Sequence, residues 1–512
     1  MSKITTTQKP SIHTVRPPVV VVMGHIDHGK STLLDYIRKT NVVDKEVGGI
    51  TQRMSAYEVI HKNSTGEHPI TFLDTPGHES FGMIRARGAS AADIAILVVS
   101  AEDGVKPQTL DALKAIKTAN LPYIVGVSKI DKDNANLDRT KQSLAENQIY
   151  VEGYGGDISC VPFSGKTGEG VPDLLDMVLL TAEVADFKAD ASAPAEAIVI
   201  ESNRDKVRGI SATLIIKNGT LHSGTYVVAG EAISPVRILE NFLGKSIKSA
   251  KPSEPARVIG WDSQPEVGGV CFTYEDKKSA EKYVEEERSR KIDDISKTKK
   301  KDSIDFSGNQ TDISIVPILV KADTSGSVEA VKYEISKLQI DRVTLRVVSA
   351  STGDIAETDV KTASSIEGTL IIGFNVKADS SSKEYANRHG VQIHTFDIIY
   401  KMTEWLEEHA KDRAPKIQIE EETGAAKILR VFSVNKDKQV LGGRTENGTL
   451  SVGEEVKIMR RESEIGRGRI RELQQAKQKT GSVSEGEFGT MIESKLEIAP
   501  GDHIVAFHTV TK

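Results

Sequence analysis

The segment GHIDHGKS, residues 24–31, is the part of this sequence whose residue types and spacing most clearly indicate a chemical role. It follows the apolar run 19–23 and has the G-x-x-x-x-G-K-S spacing of a phosphate-binding loop, in which backbone N–H groups and a helix N-terminus surround an anion. In such a loop Lys30 reaches the β- and γ-phosphates, and the Ser31 hydroxyl is a ligand for Mg²⁺. A glycine turn between a strand and a helix is the simpler alternative. The segment therefore predicts a nucleoside triphosphate site that other parts of the chain must complete.

Two further segments could complete the phosphate end of such a site. Asp74 ends the apolar run 70–73, where its carboxylate can hold Mg²⁺ through water, and the N–H of Gly77 can meet the γ-phosphate. Thr51, in the loop 48–51, can supply a second hydroxyl to Mg²⁺. An aspartate before Pro-Gly is also common in plain turns. Each segment therefore gains its meaning from the others.

Two later segments could select the base. The Asp131 carboxylate can accept hydrogen bonds from guanine N1–H and N2–H₂, which adenine does not offer, and Lys129 would lie over the base plane. A backbone N–H of segment 164–166 can reach guanine O6. Any one of these segments is also compatible with a turn or a solvated face. All five in this chain order predict a guanine-nucleotide site.

Strands and helices must alternate for these segments to meet. Apolar runs predict strands at 19–23, 57–61, 70–74, 94–100, 123–128 and 159–163. Helices are predicted to begin near residues 31, 81, 107, 136 and 171. This order predicts a mostly parallel sheet covered on both faces, with ligands at the carboxyl ends of its strands. Each of the five segments lies at such a strand end or in a flanking loop.

Composition argues against several classes of protein. The 512 residues carry a net charge of −6, which gives no general attraction to nucleic acid. Only two cysteines, Cys160 and Cys271, are present, which argues against a disulfide framework. Residues 1–18 lack an apolar signal region, and no apolar run reaches the ~20 residues that a membrane helix needs. We expect a cytoplasmic protein with a flexible leader at 1–18 and no membrane association.

The rest of the chain predicts a multidomain fold. Short strands between glycine turns predict β-barrels, alternating strands and helices predict α/β domains, and a run of mixed charge predicts an exposed helix, with a nucleic-acid patch as the alternative. The predicted parts are, in chain order, a P-loop α/β domain with a parallel-rich sheet at 19–190, a β-barrel at 191–275, a charged helix and linker at 276–311, an α/β/α domain at 312–395, a connecting helix at 396–414 and a second β-barrel at 415–512.

Three segments resemble the GTPase motifs of translation factors: GHIDHGKS at 24–31, GGITQ at 48–52 and DTPGHE at 74–79. The GGITQ form is most similar to the bacterial translation initiation factor 2 family, and segments within 321–376 are similar to the third domain of that family. The resemblance covers the chain from about residue 19 onward. We expect a short form without the long amino-terminal extension that many relatives carry. The resemblance implies a ribosome-activated GTPase that uses GTP, GDP and Mg²⁺, in which His78 positions the attacking water.

The predicted site combines the motif positions with this resemblance. His78 is the predicted catalytic residue, and the predicted metal ligands are Ser31, Thr51 and Asp74. The predicted nucleotide-binding residues are Asp27, His28, Gly29, Lys30, Ser31, Thr32, Gly77, Ser128, Lys129, Asp131, Ser164, Gly165 and Lys166.

The resemblance also implies partners. It implies the small and large ribosomal subunits as partners, with other initiation factors as possible partners. It also implies that the last barrel holds the end of initiator tRNA. We expect a monomer. Cations that suit phosphate contacts are concentrated in that region, with scattered solvated strand faces as the alternative. They are Lys427, Arg430, Lys436, Lys438, Arg444, Arg460, Arg461, Arg467, Arg469, Arg471, Lys477 and Lys479.

Four positions depart from the family pattern. Ser128 stands where the family has asparagine, so guanine selectivity should depend mainly on Asp131. Gly165 replaces the usual alanine and is expected to be harmless. Gly443 and Phe488 stand where the family has two cysteines in its amino-acid pocket, so we expect the chemistry of that pocket to be altered.

Two other functions fit parts of the sequence. One is a specialised elongation-type GTPase that delivers an aminoacyl-tRNA, against which the GGITQ form and the third domain argue. The other is a GTP-dependent ribosome scaffold that does not hydrolyse GTP. The joint presence of Lys30, Thr51, Asp74 and His78 argues against the scaffold.

Overall fold

A computed structural model describes residues 13–39, 52–298, 314–413, 418–461, 463–476 and 478–511. The chain forms two compact units, 1–413 and 414–512. The first unit contains an α/β domain, a β domain and a second α/β domain, and the second unit is all β. Across these described ranges, no helix has both the length and the apolar character needed to cross a membrane.

The first domain is built around one six-stranded sheet. Its elements are β1 (Thr14–Val15), β2 (Val19–Gly24), α1 (Lys30–Arg38), β3 (Ser55–Asn63), β4 (Gly66–Asp74), α2 (Gly82–Ala91), β5 (Ile94–Ser100), α3 (Pro107–Thr118), β6 (Tyr123–Ser128), α4 (Leu137–Glu146), β7 (Cys160–Pro162), α5 (Val171–Ala185) and β8 (Lys188–Ala189). A 3-10 turn, Glu79–Phe81, precedes α2. The strand order is β3-β4-β2-β5-β6-β7, and only β3 is antiparallel to its neighbour.

Burial explains why the strands of this sheet are apolar runs without alternation. β2 and β5 lie in the middle of the sheet and are buried along their whole length, as parallel strands covered on both faces must be. Leu33 and Leu34 of α1 and Leu174 of α5 belong to the core on one face. Because the parallel strands run in one direction, the loops that follow them gather at one edge of the sheet.

The described part of the predicted leader is bound to the folded domain. Thr14 and Val15 pair with β8, and both nitrogens at the end of the Arg16 side chain donate to the Asp93 carboxylate, at 2.6 and 2.7 Å. Lys217 of the second domain donates to the same carboxylate at 2.6 Å. Burial opposes ionisation of Asp93, but the two cations outweigh it and lower the pKa of this group. The prediction of a flexible leader is therefore wrong for residues 14–16, and residues 1–12 lie outside the described ranges.

The second domain is a barrel-like antiparallel sheet. Its strands are β9 (Glu196–Asp205), β10 (Gly209–Asn218), β11 (Leu221–His222), β12 (Tyr226–Ala229), β13 (Ala232–Pro235), β14 (Ile238–Asn241), β15 (Ser249–Ala250), β16 (Pro255–Trp261) and β17 (Val270–Tyr274). Seven of them form one sheet in the order β13-β12-β17-β9-β10-β16-β14. Its alternating inward residues, such as Val199, Leu214 and Val258, form a separate core.

The charged segment that follows is a helix that packs on this second domain. α6 (Lys277–Thr298) has exposed i,i+4 pairs such as Lys277–Glu281, as its charge pattern predicts. Ala280 and Val284 are nevertheless buried against Val228 of β12. The helix is therefore anchored by an apolar stripe. Residues 299–311, the rest of the predicted linker, lie outside the described ranges.

The third domain is a parallel four-stranded sheet with helices. Its elements are β18 (Ser314–Ala322), α7 (Ser325–Lys337), β19 (Val343–Thr352), α8 (Glu357–Ser364), β20 (Leu370–Phe374), α9 (Ser380–His389), β21 (Gln392–Phe396) and α10 (Ile399–Asp412). The order is β19-β18-β20-β21. α10, within the predicted connecting helix, packs against α7, β19 and β21.

The third domain docks on the first through α7 and neighbouring loops. Arg87 of α2 pairs with Glu329, and Glu79 pairs with Lys337. At Gly326 a Cβ would lie 2.6 Å from Cδ1 of Ile84, so the two helices approach as closely as a glycine allows. These contacts place α7 directly beside the segment that follows β4.

All three domains of the first unit meet around Glu201 of β9. Its carboxyl group interacts with Arg53 of the first domain and with Asp323 and Thr324 of the third. Arg53 also forms an ion pair with Asp323. Burial and the nearby Asp323 charge raise the pKa of Glu201 to about 7. This junction begins only two residues after the undescribed segment 40–51.

The second unit is a closed barrel. Its strands are β22 (Gln418–Asn435), β23 (Lys438–Gly448), β24 (Leu450–Ser451), β25 (Glu455–Arg460), β26 (Ser463–Gln475), β27 (Gln478–Thr480), β28 (Ser482–Val483), β29 (Glu487–Glu493) and β30 (His503–Thr511). The order β25-β30-β22-β23-β29-β26 is closed by pairing of β25 with β26. Closure leaves no free edge among the six barrel strands.

Candidate functional site

The phosphate loop runs from the end of β2 to the start of α1. Gly24, Asp27 and Gly29 have φ angles of 147°, 63° and 83°. Positive-φ residues placed among ordinary ones form the concave backbone turns that bind anions. A Cβ at Gly24 would lie 2.3 Å from the carbonyl oxygen of Val98 on β5. The loop conformation therefore depends on glycine for both backbone freedom and packing.

Lys30 is a buried cation whose hydrogen bonds go to neutral groups. Its Nζ donates to the carbonyl oxygens of Gly24 and His25, at 3.0 and 2.5 Å. Burial lowers the pKa of Lys30 to about 8, opposed by the charge of nearby Asp74. A cation in this position, at the first residue of a helix, is stabilised when an anion binds. The residues present therefore fit a phosphate group.

The segment after β4 closes over the phosphate loop. A Cβ at Gly77 would lie 2.6 Å from Nζ of Lys30 and 3.1 Å from the backbone nitrogen of Ile26. Asp74 is buried at the end of β4, close enough to Lys30 to affect its pKa. Two segments 50 residues apart are thus brought together as the motifs predict.

The predicted base end is assembled from the loops after β6 and β7. Asp131 accepts a hydrogen bond from the Ser164 hydroxyl at 2.7 Å, which lowers the pKa of Asp131. The same hydroxyl accepts from the backbone nitrogens of Lys166 and Thr167, at 3.3 and 3.1 Å. Lys129 lies 3.2 Å from Glu102. An ionised carboxylate is therefore held in place with acceptor capacity remaining.

Gly165 packs directly on the backbone of α1. A Cβ at this position would lie 2.9 Å from the backbone nitrogen of Leu33 and 3.0 Å from the carbonyl carbon of Thr32. Backbone atoms within a helix cannot move aside as a side chain can. The geometry therefore favours glycine here, so more than a preserved N–H depends on this residue.

Ser128 and His28 support the loop from the interior. The Ser128 hydroxyl donates to the carbonyl oxygen of His28, and His28 Nδ1 accepts from the backbone nitrogen of Ser100 at 3.3 Å. Burial lowers the pKa of His28 to about 3, so its ring is neutral at physiological pH. The His28 side chain therefore fixes the loop, and only its backbone is available to a phosphate.

These segments enclose one cavity of about 350 Å³. Every predicted site residue lines it except His28, Asp74 and Ser164, which are buried, and Thr51, which lies outside the described ranges. Ile26 and Lys132 also line it, and Lys132 was not predicted. The position of Lys132 directly after Asp131 was the available signal for that residue.

His78 lines the same cavity and is fixed from several sides. Its Nδ1 lies 3.1 Å from the backbone nitrogen of Ser80 and hydrogen-bonds to the Ser80 hydroxyl. Its backbone oxygen accepts from Arg85. Burial lowers the pKa of His78, while Glu334 and Glu79 act in the opposite direction. His78 thus contacts the start of the 3-10 turn through Nδ1 and faces the cavity at the same time.

Two residues of the third domain complete the surroundings of His78. The Ser80 hydroxyl donates to Glu334 Oε1 at 2.5 Å, and the Tyr400 ring makes an edge-to-face contact with His78 at a centroid distance of 4.4 Å. Glu334 and Tyr400 were not predicted. They lie more than 250 residues from His78 in sequence, and no local motif marks them.

In the barrel of the second unit, the two altered pocket positions face each other. Gly443 and Phe488 are directly paired across β23 and β29. Phe488 is 5% exposed and belongs to the barrel core. A Cβ at Gly443 would lie 3.0 Å from Cζ of Phe488. The aromatic ring therefore fills the space that the glycine leaves.

Several of the predicted surface cations of this barrel are already paired with carboxylates. Arg460, Arg467, Arg471 and Lys479 form ion pairs with carboxylates. Lys477 lies outside the described ranges. The hairpin of β22 and β23 exposes cations and apolar side chains together. The exposed cations and large apolar residues of this hairpin are Lys427, Leu429, Arg430, Phe432, Val434, Lys436, Lys438, Val440 and Arg444.

Three family models match successive parts of the chain. Residues 16–183 match the elongation factor Tu GTP binding domain, residues 194–273 match elongation factor G domain 2, and residues 291–407 match translation-initiation factor 2. A solved structure, GDP-bound aIF5B from Aeropyrum pernix, is 25% identical over 96% of this chain and 92% of that chain, with a TM-score of 0.46.

Comparison with curated sequences over nearly the whole of this chain gives higher identity. Translation initiation factor IF-2 from Nitratiruptor sp. is 42% identical over 97% of this chain, which spans 59% of that relative. The proteins of the same name from Halothermothrix orenii and Bacillus subtilis are 40% and 38% identical over 98% and 96% of this chain, which spans 73% and 69% of them. The predicted resemblance and the multidomain fold are thereby confirmed. The chain belongs to the translation initiation factor 2 family.

Proposed function

We propose that this protein is a translation initiation GTPase that binds GTP with Mg²⁺, guides initiator tRNA on the small ribosomal subunit, promotes joining of the large subunit and hydrolyses GTP when the ribosome activates it. One observation carries the proposal. A single cavity has a buried lysine and a helix N-terminus at one end and a fixed carboxylate at the other. A cation for phosphates and a carboxylate for the base are the two groups that guanosine triphosphate needs.

The two ends of the cavity bind the nucleotide by different means. The phosphates contact backbone N–H groups of 27–31 and the Lys30 ammonium, which provides charge-assisted hydrogen bonds. Asp131 accepts from guanine N1–H and N2–H₂, a pair of donors that adenine does not have. Ser164 holds the Asp131 carboxylate in position for this pairing. Selectivity for guanine then depends mainly on Asp131.

Ser31, Asp74 and Thr51 are the residues that would hold Mg²⁺. Ser31 lines the cavity and Asp74 is buried beside Lys30, which gives the hydroxyl and carboxylate oxygens that Mg²⁺ prefers. When bound, Mg²⁺ neutralises charge on the phosphate oxygens and so favours attack on the γ-phosphorus.

Hydrolysis requires a water held in line with the bond that breaks. His78 lines the cavity beside Gly77, where its imidazole can orient or polarise that water. Among the residues that the structure describes, no arginine lines the cavity. Without such a cation, intrinsic hydrolysis is slow and activation comes from the ribosome in trans.

The hairpin of β22 and β23 is the best supported tRNA contact in the second unit. Its cations are exposed, and Phe432 is 65% exposed beside them. Cations contact phosphates without reading sequence, and an exposed aromatic ring can stack on an unpaired base. The core position of Phe488 makes a deep amino-acid pocket at that point unfavourable, so the hairpin contacts the nucleic acid rather than the amino acid.

The first experiment measures GTP hydrolysis with and without ribosomal subunits. We expect strong stimulation that requires the assembled large subunit. His78→Ala should reduce the stimulated rate by about 100-fold or more, the usual size of a lost acid–base or water-positioning group, without changing GTP affinity. His68→Ala, a histidine remote from the cavity, is the matched control and should leave both quantities unchanged.

The other outcomes separate the alternatives. GTP binding without any stimulation would favour a ribosome scaffold, and stimulation by elongating ribosomes carrying aminoacyl-tRNA would favour an elongation-type factor. Absence of guanine-nucleotide binding would overturn the proposal.

A second experiment tests the tRNA contact by filter binding over a range of salt concentrations. Arg430→Ala should weaken binding and reduce the salt dependence by about one counterion, because an exposed phosphate contact is lost. Arg471→Ala is the control, since Arg471 is already paired with Glu493. Equal effects of both variants would contradict a specific role for the hairpin.

A further inference from the structure

The immediate surroundings of His78 contain a hydrogen-bonded chain that crosses a domain boundary. His78 Nδ1 contacts the Ser80 hydroxyl, and that hydroxyl donates to Oε1 of Glu334 on α7 at 2.5 Å. Ser80 is 4% exposed and Glu334 is half-buried, so water does not readily replace these bonds. The chain connects the nucleotide cavity with the third domain.

The bonds made by the Ser80 hydroxyl favour one tautomer of the ring. An ionised carboxylate only accepts, so the hydroxyl proton of Ser80 points to Glu334. The Ser80 oxygen then presents lone pairs to His78 Nδ1, and a bond between them needs a proton on Nδ1. In a neutral imidazole the other nitrogen, Nε2, is then the acceptor.

We propose that Glu334 of the third domain, acting through Ser80, is a positioning residue that holds His78 with Nδ1 protonated and the Nε2 lone pair available to the attacking water. This inference rests on the proposed function, because it gives His78 its role in hydrolysis. It adds that the hydrolytic site is completed only when the third domain is docked on the first.

The charges around His78 are consistent with this role. Glu79 lies on its own turn, Arg85 on α2, Glu334 and Lys337 on α7, and the Tyr400 phenol on α10. Burial lowers the pKa of His78, and Glu334 is the largest of the opposing influences. Loss of the Glu334 charge should therefore lower the pKa of His78 further. This direction is the same whether the neutral or the protonated ring is the active form.

The backbone nitrogen of Ser80 supplies a competing bond. It also lies 3.1 Å from Nδ1, where its N–H can donate only to an unprotonated nitrogen. With the hydroxyl removed, this donor alone faces Nδ1 and selects the opposite tautomer, with the proton on Nε2. Ser80→Ala is therefore a sharp test, and Ser80→Thr, which keeps a hydroxyl, is the rescue variant.

The tautomer can be measured without any activity. In full-length protein labelled with ¹⁵N-histidine, the His78 ring signals are identified by their absence in His78→Ala. We expect the Nδ1–H tautomer in the wild type and in Ser80→Thr, and the Nε2–H tautomer in Ser80→Ala. An Nε2–H ring in the wild type, or no change in Ser80→Ala, would overturn the proposal.

The pH dependence of ribosome-activated hydrolysis gives the second readout. Glu334→Gln keeps an acceptor but removes the charge, so the apparent pKa assigned to His78 should move to lower pH. Ser80→Ala should reduce the rate about 10- to 100-fold, the effect of a misplaced reacting group. Glu329→Gln is the matched control. Glu329 lies on the same helix as Glu334, and its substitution breaks the ion pair with Arg87 of α2 without touching His78.

Each result has one meaning. An equal pKa shift in Glu329→Gln and Glu334→Gln would show that weaker docking is the cause and would overturn the positioning role. If the wild type shows no stimulated hydrolysis, the proposed function fails, while the NMR result still decides whether Glu334 and Ser80 set the tautomer.

Discussion

The two ends of the nucleotide cavity are built differently. At the base end, Asp131, Ser164 and Gly165 are positioned entirely by loops and a helix of the first domain. At the other end, His78 is positioned partly by Ser80 and partly by the third domain. On the proposed roles, affinity for the base is a property of one domain, whereas hydrolysis depends on how two domains meet. The proposal thus separates the residues that bind nucleotide from those that control its turnover.

The largest expected effect is the loss of phosphate binding in Lys30→Ala. Charge-assisted hydrogen bonds contribute about 1.5–3 kcal/mol each, so losing those to two phosphates should weaken GTP binding about 1000-fold. Lys132→Ala, which removes an exposed cation from the same cavity, should have a much smaller effect. Fluorescent GTP titration measures both, and equal losses would contradict the role given to Lys30.

Asp131→Asn tests whether the base end works independently of the hydrolytic end. The amide should weaken GTP binding about 100-fold, because two bonds to a charged acceptor are lost. Its N–H₂ should favour xanthine, whose O2 accepts where guanine N2 donates. We expect the activated hydrolysis rate at saturating nucleotide to stay unchanged. A large fall in that rate would show that the two ends are coupled.

Gly165→Ala tests the close packing of the base-end loop on α1. Overpacking against backbone costs about 1–3 kcal/mol, so GTP affinity should fall about tenfold with little change in hydrolysis at saturation. Gly481→Ala is the control, since a Cβ there meets no atom within 4 Å. Unchanged affinity in Gly165→Ala would mean that the loop can move away from α1 without loss of binding.

The smallest expected effect concerns the three-domain junction at Glu201. Its pKa of about 7 lies above the ordinary value, so folding favours the protonated form. The stability that this group contributes is complete below pH 4.5 and falls as pH rises towards 7. Glu201→Gln should remove that loss and raise the thermal midpoint by about 2–4 °C at pH 7.5 relative to the wild type.

The matched control for this junction is Glu196→Gln, an exposed carboxylate on the same strand. It should leave the pH dependence of the thermal midpoint as in the wild type. The assigned ionisation of Glu201 would be contradicted if the wild-type thermal midpoint rose between pH 5 and 7 and the midpoint of Glu201→Gln changed in the same way.

Local features were predictable from the sequence. The phosphate loop and the central strands follow from glycine spacing and unbroken apolar runs, so β5 and β6 have the predicted bounds. α9 and β21 have no apolar pattern that predicts them, because their residues are mostly polar, although Asp379 caps the helix start and Gly390 its end. The bounds of individual domains and the roles of the site residues stay predictions.

Features that depend on distant contacts were not predictable. Gly165 looked neutral because only the fold brings α1 within 3 Å of a Cβ at that residue. Ser80 had no recognisable role until Glu334 was placed beside it, and Phe488 looked like a lost pocket residue until its ring was found in the barrel core. In each case the deciding atom belongs to a segment that no local pattern connects with the residue.

The pairing of β1 with β8 has a consequence for how this chain can be rearranged. The polypeptide enters and leaves the first domain side by side, through residues 14–15 and 188–189. A domain with adjacent entry and exit points is a module that can be excised, exchanged or circularly permuted without changing the path of the remaining chain. A replacement module would have to keep its contacts with the second and third domains, among them a carboxylate at position 93 for Lys217, Arg53 at the three-domain junction and Arg87 for Glu329.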